Sequence, residues 1–105
     1  MIQQFFYREF SSMNKRVERF LRNSKRLHLI EKETDFFNHR MVYSVGFRWS
    51  ILKITMINKI IRLTLIKIDG SITRVEVSVI QNGEQITGAI STRTSQKLLN
   101  NLTYI

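Results

Sequence analysis

Residues 60–91 read Ile60-Ile61-Arg62-Leu63-Thr64-Leu65-Ile66-Lys67-Ile68, Asp69-Gly70-Ser71, Ile72-Thr73-Arg74-Val75-Glu76-Val77-Ser78-Val79-Ile80-Gln81, Asn82-Gly83, then Glu84-Gln85-Ile86-Thr87-Gly88-Ala89-Ile90-Ser91. Apolar and polar residues alternate on both sides of two turn signals, the pattern of half-buried strands joined by tight turns. Asn-Gly is the dipeptide best suited to the two positive-φ positions of a type I′ turn, so Gln81 is expected to face Glu84. Counting back, Val79 faces Ile86, Ser78 faces Thr87, Val77 faces Gly88, Glu76 faces Ala89 and Val75 faces Ile90. At the other turn a two-residue loop would set Leu65 against Arg74 and mix the faces. A three-residue loop, Asp69-Gly70-Ser71, sets Leu65 opposite Val75, Leu63 opposite Val77 and Ile61 opposite Val79, with Thr64 opposite Glu76, and keeps one face apolar. Gly88, opposite Val77 in this register, would let a helix approach closely.

Upstream, alternation begins near Met41: Tyr43, Val45, Phe47, Trp49 and Ile51 share one parity, and Leu52, Ile54 and Met56 the other. The switch suggests a bulge near Ser50 or a break at Gly46. A turn at Asn58-Lys59 would set Met56 against Ile61, Ile54 against Leu63 and Leu52 against Leu65, extending the apolar face to a fourth strand. The opposite face would carry Lys53, Thr55, Arg62, Thr64, Arg74, Glu76, Ser78 and Thr87, with Trp49, Ile51, Ile66, Ile68 and Ile72 at one end. Such an apolar patch is too large to be left wet without purpose: it is a dimer surface, a shelf for a partner, or a site covered by residues 31–47.

Ahead of the sheet, residues 1–30 carry a helical apolar stripe, Phe6, Phe10, Met13, Val17, Phe20 with Leu21, and Leu27, at steps of three and four. Arg8, Lys15, Arg19, Arg22 and Arg26 lie nearly opposite it. Ser11-Ser12 is a point at which the helix could divide, because serine competes for backbone hydrogen bonds. Residues 31–42 read as a connector anchored to the core by Phe36 and Phe37, with a turn capped by Thr34 or Asp35. After Ser91, Thr92-Arg93-Thr94-Ser95 offers N-caps, and Leu98, Leu99, Leu102 and Ile105 form the stripe of a short terminal helix. The expectation is one α+β domain over 1–105: an N-terminal amphipathic helix (1–30), a connector (31–42), a four-stranded antiparallel β-meander (43–91) and a C-terminal helix (92–105), both helices on one face of the sheet.

The chain carries 17 Lys plus Arg against 8 Asp plus Glu, a net charge of +9, and residues 1–30 alone hold seven basic and two acidic residues. More than half of the excess therefore sits in the first helix, which calls for an acidic partner such as nucleic acid or an anionic membrane. Cysteine is absent, which excludes disulfides and thiolate metal sites. No apolar run approaches the ~20 residues that span a bilayer, so a membrane role would be peripheral.

Catalytic signals are weak. His28 and His39 are isolated, and Glu31, Glu33, Asp35 and His39 match no metal-ligand spacing, so a solvated charge run is the better account. Asp69 and Glu76 lie as in some metal-dependent nucleases, but the Lys expected two residues beyond the second acid is Ser78. Neither Gly70 nor Gly83 opens a phosphate loop. No metal, cofactor or small-molecule substrate is implied. An Arg-rich, Ser-containing amphipathic helix also has the look of a mitochondrial presequence, with Arg8-Glu9-Phe10-Ser11-Ser12 like a processing site, and Glu9 and Glu18 argue against it.

The order of four meander strands and a helix, with Asn82-Gly83-Glu84-Gln85-Ile86-Thr87-Gly88-Ala89-Ile90-Ser91 leading into Ser95-Gln96-Lys97-Leu98-Leu99, resembles the end of the transcriptional coactivator family called positive cofactor four. The resemblance covers about residues 50–102 and implies a dimer that binds single-stranded DNA through its sheet and loops. It departs at Ala89, where the family tends to have Lys, and at Ile68, where an aromatic is expected. The residues alone point to a non-enzymatic module binding single-stranded DNA or RNA, as a homodimer or within a larger assembly. Arg8, Lys15, Arg19, Arg22 and Arg26 would serve from the helix, and Trp49, Lys53, Arg62 and Arg74 from the outer sheet face. The alternative is a small structural or accessory subunit of a ribosome or mitochondrial complex, and a weaker one lays the amphipathic helix on a membrane surface.

Overall fold

The computed structural model describes residues 2–47, 59–81, 84–86 and 89–103. The expected β-meander is present, joined by one strand from the chain's start. In order the elements are β1 (Ile2–Phe6), α1 (Phe10–Asn23), β2 (Leu27–Asp35), β3 (Arg40–Phe47), β4 (Lys59–Lys67), β5 (Thr73–Gln81), β6 (Glu84–Ile86) and α2 (Ala89–Thr103). The sheet is antiparallel in the order β1-β5-β4-β3-β2, with β6 on the same edge of β5 as β1.

The β4–β5 register is the one that alternation and turn chemistry require: Leu65 faces Val75, Leu63 faces Val77, Ile61 faces Val79 and Thr64 faces Glu76. Ile68 N–H donates to the Ile72 carbonyl at 3.0 Å, leaving Asp69-Gly70-Ser71 as the loop. Asp69 Oδ1 accepts from Ser71 N–H at 2.7 Å and from its hydroxyl at 3.2 Å, and these bonds hold the Asp69 carboxyl below its ordinary range. At the second turn Gln81 faces Glu84 and Val79 faces Ile86, as expected.

The expected pairing beyond Ile86 is replaced. Val75 and Glu76 do not face Ile90 and Ala89, because α2 already begins at Ala89. Gln4, Gln3 and Ile2 of β1 take the places beside Val75, Glu76 and Val77. The slot assigned to Gly88 is thus filled by Ile2. Similarly, β4 is flanked by β3, with Met41 facing Leu65, Tyr43 facing Leu63 and Val45 facing Ile61. The positions proposed for Leu52, Ile54 and Met56 are occupied. Those residues, with Ser50 and Asn58, lie outside the described residues.

Residues 31–42 are not a connector, since β2 and β3 form a hairpin that puts two more strands into the sheet. They therefore cover none of its outer face. Asp35 organises the loop: it accepts from Asn38 N–H at 3.2 Å, Asn38 Nδ2 at 2.8 Å and Arg40 Nη2 at 3.3 Å. His39 takes the left-handed conformation at φ 49°. Those bonds hold the Asp35 carboxyl below its ordinary range, the Asn38 side chain contributing most. With the short loop closed in this way, Phe36 and Phe37 point outward, 82% and 97% exposed, rather than anchoring the core. Gly46 does not break β3. A side chain there would meet Ile30 Cδ1 at 2.7 Å, and the irregularity falls in β2 instead, between Leu29 and Glu31.

α1 is shorter than the stripe suggested, because residues 2–6 pair with β5. Ser11 and Ser12 do not divide it: they sit in its first turn, where backbone N–H groups lack intrahelical partners anyway. It ends at Ser24, whose Oγ accepts from the N–H groups of Arg26 and Leu27. Met13, Val17 and Leu21 of α1 and Leu98, Leu99 and Leu102 of α2 pack on Tyr43, Val45, Ile61, Leu63, Leu65, Val75 and Val77, so both helices cover one sheet face. Full burial of each such aliphatic side chain contributes about 1.5–3 kcal/mol.

One polar chain crosses this core. Tyr43 Oη donates to Asn14 Oδ1 at 2.8 Å, and Asn14 Nδ2 donates to the Phe10 carbonyl at 2.9 Å. Burial, with a smaller contribution from the Glu18 charge, pushes the Tyr43 phenol well above its ordinary value. Replacing Tyr43 by Phe leaves the Asn14 oxygen without its donor, and a loss of about 1–3 kcal/mol is expected in urea unfolding. An unchanged midpoint would show that the bond is not structural. Because the folded Asp35 carboxyl titrates below its unfolded value, its contribution is complete above the ordinary carboxylate range and is lost as pH falls through the depressed value. The protection factor of the Asn38 amide, which donates to Asp35, is expected to fall over that interval, and constant protection through it would contradict this role.

Candidate nucleic-acid interface

Once the apolar side of α1 is spent on the core, its charged side has only solvent to face. Lys15, Arg19 and Arg22 are exposed on the helix, and Lys25 and Arg26 in the turn beyond it. The one acid on this stretch of α1, Glu18, is engaged by Lys32 of β2 at 2.8 Å. Arg8 lies in the β1–α1 connection, where its carbonyl accepts from the buried Thr73 hydroxyl at 3.0 Å.

Arg16 was not among the residues the sequence singled out. It reaches the end of α2, with Nε donating to the Leu102 carbonyl at 2.7 Å and Nη2 to the Thr103 carbonyl at 3.2 Å. A guanidinium there satisfies two carbonyls left over by the helix and complements the negative end of its dipole. Burial and then the neighbouring charges of Arg8 and Arg19 push its pKa down. Arg8, Arg16 and Arg19 thus form a like-charged cluster, whose mutual repulsion an anion would relieve.

α2 adds to the same side of the molecule. Arg93 and Lys97, one turn apart, are exposed on the flank next to the buried Leu98–Leu102 stripe. Between them and the end of α1 lies a cleft of about 550 Å³, lined by Lys25, Arg26, Arg93 and Lys97 around Phe20, Leu27, Ile61 and Leu98. No acidic residue lines it among the described residues. The spacing of Arg93 and Lys97 was legible in the sequence, but their meeting with Lys25 and Arg26 needs the packing of α2 beside α1.

The outer sheet face is different. Arg62 is exposed there, facing Ser44 and Ser78. Arg74 is committed to Glu76, with Nη2 and Nε at 3.1 and 3.2 Å from Oε2. By register the same face holds Glu31, Glu33 and Asp35 beside Arg40, so acids and bases nearly balance among the described residues. Trp49 and Lys53 lie outside the described residues. The helix stripe and the sheet residues Arg62 and Arg74 occupy opposite sides of the molecule, and one ligand surface does not contain both sets.

No group of His, Asp and Glu able to hold a metal ion occurs among the described residues, and none of their helices is long and apolar enough to cross a membrane. Comparisons with protein-family models, with curated proteins and with solved structures give no match. The resemblance to the positive cofactor four family gains no support from them.

Arg16→Met is expected to cost about 1–2 kcal/mol by removing the cap of α2, whereas Arg19→Met, on the solvent face, stays within about 0.5 kcal/mol of the parent. Equal unfolding midpoints for the two variants would refute the capping role.

Proposed function

We propose that this protein is a non-enzymatic nucleic-acid-binding module whose contact surface is the cationic side of its two-helix layer. The observation that carries this reading is the convergence of Lys25 and Arg26 with Arg93 and Lys97 around a cleft without a described acidic lining residue, while Lys15, Arg19 and Arg22 are exposed elsewhere on α1. Arginine and lysine on one surface, with the nearest helix acid already paired, suit a row of phosphates and release counterions on binding. Arg62 and Arg74 are left out of this surface. The sequence's emphasis on the first helix is kept and the outer sheet face is dropped from the main contact. Binding to an anionic membrane by the amphipathic helix fits poorly, because Met13, Val17 and Leu21 are buried in the core and have no free apolar face to insert.

A second reading, a small accessory subunit of a larger assembly, is favoured by a separate observation. Phe36 and Phe37, adjacent at the β2–β3 hairpin tip, are 82% and 97% exposed, and neighbouring exposed aromatics form the kind of contiguous apolar surface that a partner covers. Light scattering after size-exclusion chromatography separates the two: a clean monomer or dimer suits the module, and aggregation of the isolated chain suits the subunit.

The module reading is tested by titrating a labelled oligonucleotide at several salt concentrations. With Arg19, Arg22 and Arg26 all changed to Glu, the dependence of log K on log salt for a single-stranded oligonucleotide is expected to flatten by about 2 units if each touches one phosphate. An unchanged slope and affinity would remove this surface from the mechanism.

A further inference from the structure

The cleft between the helices is built for more than charge. Its floor is apolar, yet Ile61 and Leu98 are already 1% and 4% exposed, so only the partly buried Phe20 and Leu27 offer apolar surface to a ligand. Phe20 is the aromatic among the lining residues, and its partly buried ring is the surface on which a flat group can stack. The rim supplies Lys25, Arg26, Arg93 and Lys97, and the volume of about 550 Å³ falls within the roughly 300–1,000 Å³ of clefts that hold a small organic ligand. A planar group joined to a phosphate is a nucleotide.

We infer that this cleft takes one unpaired nucleotide of the bound strand, its base stacked on Phe20 and its phosphates held by Arg26, Arg93 and Lys97. The inference rests on the nucleic-acid reading and adds to it a discrete site for a base. Stacking on an aromatic side chain is sequence-tolerant, since every base has a π-face, and flanking guanidinium groups reinforce it. Phosphates meet arginine through paired N–H donors. The remainder of the cationic face would then touch the backbone alone.

The experiment compares two probes of equal length and charge, a fluorescent thymidine oligonucleotide and the same sugar-phosphate chain with every base removed. Each is titrated with the full chain, with Phe20→Ala and with Phe20→Leu, at one salt concentration, after circular dichroism has established that the variants fold. The parent protein is expected to bind the intact strand about tenfold more tightly than the abasic one, in line with the loss of one stacked base. Both Phe20 variants are expected to bind the two probes alike, at the parent's affinity for the abasic strand. Equal binding of both probes by the parent, or a tenfold preference that survives in both variants, would overturn the base site while leaving the charge-based reading intact. Failure of the parent to bind either probe at low salt would instead overturn the nucleic-acid reading and the base site with it.

Discussion

The apolar face shared by β3, β4 and β5 has to be covered, and the structure follows from how that is done. Tyr43, Leu63 and Val77 lie side by side across the three strands, as do Val45, Ile61 and Val79, and all but Val79 belong to a single cluster with the two helices. A bare sheet of this kind would expose a row of Leu, Ile and Val to water, at about 25 cal/mol per Å². One helix of 14 residues is too narrow to cover it, and α2 supplies the rest. The Tyr43–Asn14 bond then sets how α1 sits, because a buried hydroxyl and a buried amide each need their partner.

That covering decides where charge can go. On α1 the core takes Met13, Val17 and Leu21, so Lys15, Arg19 and Arg22 are turned outward by helical geometry alone. On α2 the burial of Leu98, Leu99 and Leu102 does the same for Arg93 and Lys97. The two helices pack on one sheet face, and the cations where α1 ends, Lys25 and Arg26, line one cleft with Arg93 and Lys97 of α2. Arg16 bridges the pair by capping α2 from α1. The cation that ties the helices together therefore also adds to the positive field its neighbours Arg8 and Arg19 create.

The opposite face shows why a list of basic residues is a poor map of a binding surface. Arg74 looked as available as Arg22 in the sequence, but a strand places residues i and i+2 on the same side, and Glu76 is therefore its neighbour. Arg62 stands on a face where β2 and β3 also bring Glu31, Glu33, Asp35 and Arg40. The misplacement of Phe36 and Phe37 has a related cause. Two adjacent phenylalanines ordinarily signal core, but Asp35 and His39 close a hairpin around them, and the tip of a hairpin is the part farthest from the core.

By itself the sequence determined the class of fold, the Leu65–Val75 and Gln81–Glu84 registers, and the two faces of the first helix. These depend on neighbours in the chain: turn residues with fixed φ requirements, and side-chain periods of 2 and 3.6. Only the tertiary structure decided that Ile2–Phe6 would be a strand beside β5, that β3 would flank β4, and that Arg93 and Lys97 would join Lys25 and Arg26. The physical reason is that a strand edge offers the same N–H and C=O groups to any extended segment. Which segment fills it is settled by the whole chain's burial of apolar surface and closure of loops, terms that no local window contains.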